Sequence, residues 1–186
     1  GAGPIGLGVM AFAKHQGAKV MAMDINPERL AFCRDWAHVD EGINAFDDPH
    51  NQLKRMTNGD YPSIVFDATG NAPSMMQSFN YVAHGGKLVF VGLVKADITF
   101  HDPEFHKREL TLLSSRNATR EDFNTVKEVV TQGKIDVGSV FAPPAPIYKI
   151  DVGSFITHRS PFDTMIEHFD SWLQPESKVI KAMVEL

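Results

Sequence analysis

The chain has 186 residues, 43% hydrophobic and 22% charged, enough to bury one sizeable core and too apolar for a disordered segment. Its 18 Lys and Arg against 23 Asp and Glu give a net charge of −5, with no basic cluster to suit nucleic acid or an anionic membrane. A single cysteine, Cys33, rules out an internal disulfide framework or multi-cysteine zinc site, and no apolar run approaches bilayer-spanning length, so a soluble cytoplasmic protein is expected.

The chain opens on Gly1-Ala2-Gly3-Pro4-Ile5-Gly6, where Gly1, Gly3 and Gly6 fit G-x-G-x-x-G. Glycines at that spacing permit a tight turn, let backbone N–H groups approach a pyrophosphate, and let the next helix pack closely on a sheet. That helix is expected over 5–16, closed by Gly17. The apolar run 18–23 reads as a buried strand ending at Asp24, 18 positions after Gly6. A carboxylate there can accept hydrogen bonds from both hydroxyls of an adenosine ribose and would repel a 2′-phosphate, which favours NAD over NADP. Taken singly, the glycines also suit an ordinary tight turn and Asp24 an N-cap or a solvated strand end. A methyltransferase binding an adenosyl cofactor would share the glycine-rich turn. A chain opening at the first motif glycine lacks the strand that should lead into the turn, and is expected to be a fragment cut just after it.

Asn26-Pro27 supplies an N-cap and a first-turn proline for a helix to Ala37. A short strand and loop over 38–46 and a helix over 48–57 follow. Residues 63–68 are strand-like, Thr69-Gly70-Asn71 turns into a helix over 72–83, and 87–91 is the next apolar strand, ending at Gly92-Leu93. Further strands are expected over 97–100 and 110–113, then a helix over 121–132 closed by Gly133. This alternation predicts an α/β fold with a doubly wound parallel sheet, whose ligands sit at the carboxyl ends of the strands. The loops Gly1 to Gly6, Asp24 to Asn26, Thr69 to Asn71 and Gly92-Leu93 therefore face a cofactor.

Lys134-Ile135-Asp136-Val137-Gly138-Ser139 recurs 15 positions later as Lys149 to Ser154. One repetition is too little for a repeat architecture and reads as a duplicated or inserted surface loop. Residues 155–159 lead into an amphipathic helix over 161–173, and 178–186 reads as a closing strand. The expected organisation is a dinucleotide-binding domain over 1–133, the inserted loop over 134–154, and a tail of helix and strand over 155–186. Cys33 reads as a small buried residue, His101 and His106 around Asp102 and Glu104 as surface polarity beside a Pro103 turn, and His158 as a residue ordering the return strand.

The ordered series GAGPIG, VMAMDINPERL, FDATGN, HGGKLVFVGL, DPEFHKRELTLLSSRNAT, ITHRSPFDTMIEHF and KVIKAMVEL resembles the cofactor-binding domain and C-terminal tail of medium-chain, zinc-type alcohol and polyol dehydrogenases. Its DPEFHK and SRNAT blocks are most similar to sugar-acid dehydrogenases of the L-galactonate or L-idonate 5-dehydrogenase kind. The resemblance implies a Rossmann fold whose first strand is missing, and a tail that would pack on an absent N-terminal catalytic lobe. It implies NAD as cofactor, held by Gly1, Gly3, Pro4, Ile5, Gly6, Asp24, Thr69, Gly70 and Asn71, with Arg29 over the ribose and adenine. It places Val91, Gly92, Leu93, Ser115, Arg116 and Asn117 at the nicotinamide end, and Lys181 as a tail cation reaching the pyrophosphate. Zinc and its ligands are expected in the absent lobe, so the resemblance names no catalytic or metal residue here. The implied parent oxidises a secondary alcohol of a polyol or sugar acid and associates as a dimer or tetramer. A truncated, non-catalytic nucleotide-binding module is the other reading left open.

Overall fold

A computed structural model describes residues 1–132 and 153–185. These fall into two compact units, Gly1–Asn117 and Ala118–Leu186. The duplicated segment, apart from Gly153 and Ser154, and the expected stop at Gly133 lie outside the described residues.

The first unit alternates helix and strand. Helix α1 (Pro4–His15) precedes β1 (Met21–Asp24), α2 (Pro27–Ala37), β2 (Glu41–Asn44), α3 (Pro49–Met56) and β3 (Ile64–Asp67). Then come α4 (Ala72–Ser78), a 3-10 turn over Phe79–Tyr81, β4 (Lys87–Phe90), α5 (Asp102–Lys107) and β5 (Thr111–Ser114). Local chemistry sets the helix starts. Asn26 accepts the N–H groups of Glu28 and Arg29, Asp48 that of Asn51, and Asn71 that of Ser74, each followed by a first-turn proline whose missing N–H costs nothing there.

Strand β1 runs parallel to β2, pairing Asp24 with Asn44, and β3, β4 and β5 form a second parallel ladder. Among the described residues no ladder joins β1 to β3. Gly1 and Ala2 bridge their carboxyl ends: the Ala2 N–H donates to the Asp24 carboxylate at 2.7 Å, and Gly1 packs against Ala68 and Thr69. One core cluster joins Ile43, Leu53 and Tyr81, another Phe79, Val82, Leu88 and Leu110, and Val65 of β3 packs against both. Burial of such side chains at about 25 cal/mol per Å² is the main force holding these layers together.

The expected strand over 97–100 is corrected: the segment is irregular. Its alternation is real, but Ile98 packs on the Phe79 cluster and Phe100 stacks on Phe79 with ring centroids 4.6 Å apart, so contact with side chains, not a ladder, sets the spacing. The Pro103 turn is also corrected, because Asp102–Lys107 is helical with the proline in its first turn. Helix α4 stops five residues short of the expected end, at Ser78, and gives way to the 3-10 turn.

Arg108 fastens this corner. Its guanidinium donates to the carbonyls of Phe79 at 2.9 Å and Val82 at 3.0 Å, while Nε, buried without a hydrogen bond, lies 3.8 Å from Glu104. Arg108→Met should leave both carbonyls unpaired and lower stability by about 2 kcal/mol, read as a lower urea midpoint. An unchanged midpoint would show that water replaces the guanidinium.

The second unit holds α6 (Arg120–Thr131), β6 (Ile156–Pro161), a 3-10 turn over Phe162–Thr164, α7 (Met165–Trp172) and β7 (Lys181–Glu185), with β6 parallel to β7. A capping box between Thr119 and Asp122 opens α6. The helix expected over 161–173 is shorter because β6 continues to Pro161.

Candidate functional site

The carboxyl ends of β1, β3 and β4 are linked by contacts between their loops. Gly3 precedes α1 with extended backbone and offers no side-chain cap; Pro4 has no N–H, and those of Ile5 and Gly6 lack intrahelical acceptors. This first turn leaves unpaired donors at the positive end of the helix dipole, where an anion is favoured. Gly6 is required by contact: a Cβ there would stand 1.9 Å from the Gly1 carbonyl oxygen. Beside Gly3, by contrast, a Cβ would meet nothing within 4 Å. That open space beside unpaired donors fits a diphosphate.

Asp24 ends β1 with both oxygens engaged, Oδ2 by Ala2 N–H and Oδ1 by Asn26 N–H at 2.9 Å. Each carboxylate oxygen has a second acceptor position, so ribose hydroxyls can bind without displacing these donors. The carboxylate thus both fixes the glycine turn and remains able to accept a ligand. Arg29, one turn into α2, is half-buried and receives its backbone position from the Asn26 cap. Sequence reading did not single out Ile25 and Phe46, apolar residues that follow β1 and β2 at this end and are 58% and 82% exposed. Exposed apolar side chains beside an engaged carboxylate were the missing signal.

Thr69, Gly70 and Asn71 follow β3 and touch the glycine turn through Thr69. Gly70 has φ of +62° and lies so close to the next loop that a Cβ on Gly92 would be 2.4 Å from its nitrogen. Val91 and Gly92 donate their N–H groups to the Asp67 carbonyl, and Leu93 projects into solvent. Ser115 follows β5 and donates to the Phe90 carbonyl, leaving Ser115, Arg116 and Asn117 exposed at the same sheet end. Lys181 lies in the second unit, where it opens β7 opposite Ile156. His101 precedes α5 and His106 lies in its last turn, and among the described residues no three His, Cys, Asp or Glu side chains converge on a metal-sized site.

Cys33, fully buried on α2, is pushed up to about 11 by burial, with Asp24 adding to the effect. A thiol that stays protonated is inert. A disulfide-exchange reagent at mildly alkaline pH should therefore leave the native chain unmodified and titrate one thiol after unfolding; rapid native-state reaction would contradict the burial.

A parallel α/β unit with a glycine turn and a carboxylate at its strand ends belongs to the Rossmann class of nucleotide-binding folds. The chain is a member of the zinc-binding dehydrogenase family, whose model matches residues 4–132. Among its relatives, L-galactonate-5-dehydrogenase of Escherichia coli is 38% identical over 187 aligned positions, covering 99% of this chain and 50% of that protein. D-xylulose reductase of Scheffersomyces stipitis is 33% identical, covering 91% and 45% respectively. The crystal structure of L-idonate 5-dehydrogenase from Escherichia coli superposes with a TM-score of 0.77 at 21% identity, covering all of this chain and 48% of that one. The chain thus spans about half the length of the relatives it matches.

Proposed function

We propose that this chain is the cofactor-binding part of an NAD-dependent oxidoreductase that takes hydride from a secondary alcohol of a polyol or sugar acid such as L-galactonate or L-idonate. The observation carrying this reading is the Ala2 to Asp24 hydrogen bond, which joins an uncapped glycine turn suited to a diphosphate to a carboxylate suited to the ribose beside it. The names of the relatives favour the substrate class.

In this reading the first turn of α1 binds the diphosphate, Asp24 the adenosine ribose, and Arg29 lies over ribose and adenine. Thr69 to Asn71 line the cleft, and Val91 to Leu93 with Ser115 to Asn117 flank the nicotinamide. When bound, NAD supplies the hydride acceptor. Lys181 remains a candidate for the pyrophosphate as a point charge. The described residues show no set of zinc ligands, so no step at zinc is assigned to them. Association as a dimer or tetramer is part of the proposal: among the described residues β5 pairs with β4 alone and its residues are exposed, an edge that would suit a second copy.

Titrating NADH into the chain and following nicotinamide fluorescence tests the cofactor assignment, which absence of saturable binding would overturn. NAD reduction with L-galactonate, L-idonate and simple polyols, assayed with zinc, tests the substrate class. Because the chain spans half of its relatives, the second reading is a nucleotide-binding module without turnover, for which NADH would bind and no substrate would reduce NAD.

A further inference from the structure

Asp67 is 4% exposed and ends β3 beneath the loops that line the cleft. Burying a carboxylate is costly unless donors replace water. Here three do. Oδ1 accepts the Thr69 N–H at 2.9 Å and the Thr69 hydroxyl at 2.7 Å, and Oδ2 accepts the Ser74 hydroxyl at 2.8 Å. The network closes on itself: the Thr69 Oγ1 accepts the Asn71 N–H at 3.1 Å, and the Asn71 Oδ1 accepts the Ser74 N–H at 3.1 Å. The backbone of the same residue holds the neighbouring loop, since the Asp67 carbonyl accepts the N–H groups of Val91 at 2.8 Å and Gly92 at 2.9 Å. Gly70 and Gly92 then meet too closely for a side chain on Gly92.

We infer that Asp67 is a positioning residue for the cofactor cleft. Its carboxylate sets the Thr69 to Asn71 turn, and its carbonyl seats Val91 and Gly92 against that turn. This inference rests on the NAD reading for its functional consequence, though not for its structural one. All three side-chain contacts are donors pointing at Asp67, so an acceptor-only group satisfies them together. An asparagine of the same shape can keep its oxygen on Thr69 and turn its NH2 toward the Ser74 hydroxyl, which can accept it, but the charge is gone and the Thr69 bonds are no longer charge-assisted. Asp67 itself lines no open space: it acts through Thr69.

The test compares wild type with Asp67→Asn, Thr69→Val, their double variant, and Ser74→Ala, which removes one bond on the far side of the carboxylate. NADH affinity should fall about tenfold for Asp67→Asn, the difference between charge-assisted and neutral hydrogen bonds at Thr69. The double variant should lose little more than the worse single one, because the two residues act in series. Ser74→Ala should bind nearly as wild type. Additive losses, or Asp67→Asn binding as wild type does, would overturn the inference. Native-state hydrogen exchange reads the structural half without cofactor. In Asp67→Asn the Thr69 and Asn71 amides should lose about tenfold in protection while the Met23 and Ile43 amides keep theirs. A uniform loss would mean a merely structural role, and no loss would mean that Asp67 does not hold the turn. If wild type fails to bind NADH while the exchange result stands, the cofactor reading falls and the positioning of the turn survives.

Discussion

Gly6→Ala should be among the most damaging methyl additions to this chain. Its Cβ would lie 1.9 Å from the Gly1 carbonyl oxygen and 3.0 Å from the Gly1 carbonyl carbon. The obstacle is backbone, held by the Ala2 to Asp24 bond and by contact with Thr69, so it cannot rotate away as a flexible side chain would. Overpacking of this kind costs about 3 kcal/mol, which would appear as a lower urea midpoint and as loss of NADH binding in the same variant. Gly3→Ala is the informative partner. Gly3 has φ of −76°, a value open to alanine, and the added methyl would meet nothing within 4 Å. Its stability should therefore be nearly unchanged, within about 0.5 kcal/mol. NADH affinity should nonetheless fall about tenfold or more, because the open space beside Gly3 is where the diphosphate would lie against the unpaired N–H groups. Gly3→Ala binding NADH as wild type does would move the diphosphate away from this turn, whatever Gly6→Ala does to the fold.

The contrast between these glycines also marks how far sequence alone reached. The motif named both, and spacing alone does not distinguish a glycine that packs on backbone from one that leaves room for a ligand. Capping chemistry was legible because it is local: Asn26, Asp48 and Asn71 start helices where their side chains and following prolines say they should. The succession of helices and strands was legible for the same reason. Helix α5 was missed because Pro103 reads as a turn, while at the first turn of a helix a proline is compatible and the flanking Asp102, Glu104, His106 and Lys107 complement the dipole. The false strand over 97–100 arose because Ile98 and Phe100 repeat with a period of two, which packing on Phe79 explains as well as a ladder does. Asp67 escaped notice because a buried acid ending an apolar strand looks like a strand end until its three donors are seen. Ile25 and Phe46 escaped because exposure is not written in composition.

Asp24 carries the other large effect, and the turn that the structure shows it holding must be separated from the ribose contact proposed for it. Removing its carboxylate in Asp24→Ala deprives the Ala2 and Asn26 N–H groups of their acceptor and, in the proposed cofactor reading, deprives a bound ribose of its partner. Hydrogen bonds to a charged group are worth about 1.5–3 kcal/mol, so NADH affinity should drop by about 2 kcal/mol, about thirtyfold in Kd. Part of that loss would come from a loosened glycine turn and would strike any dinucleotide. The ribose task has a signature that the turn task lacks. A carboxylate beside the 2′-hydroxyl repels a 2′-phosphate, so wild type should favour NADH over NADPH, and Asp24→Ala should shrink that preference by about tenfold. Asp24→Asn adds a control, since its side-chain oxygen can still accept one of the two backbone donors while the charge is gone. If discrimination collapses in Asp24→Asn while stability holds, the charge faces the ribose. If both variants weaken NADH and NADPH equally, Asp24 serves the turn alone, and the residue that reads the ribose must be sought elsewhere on the rim, with Arg29 and Asn26 the first to substitute.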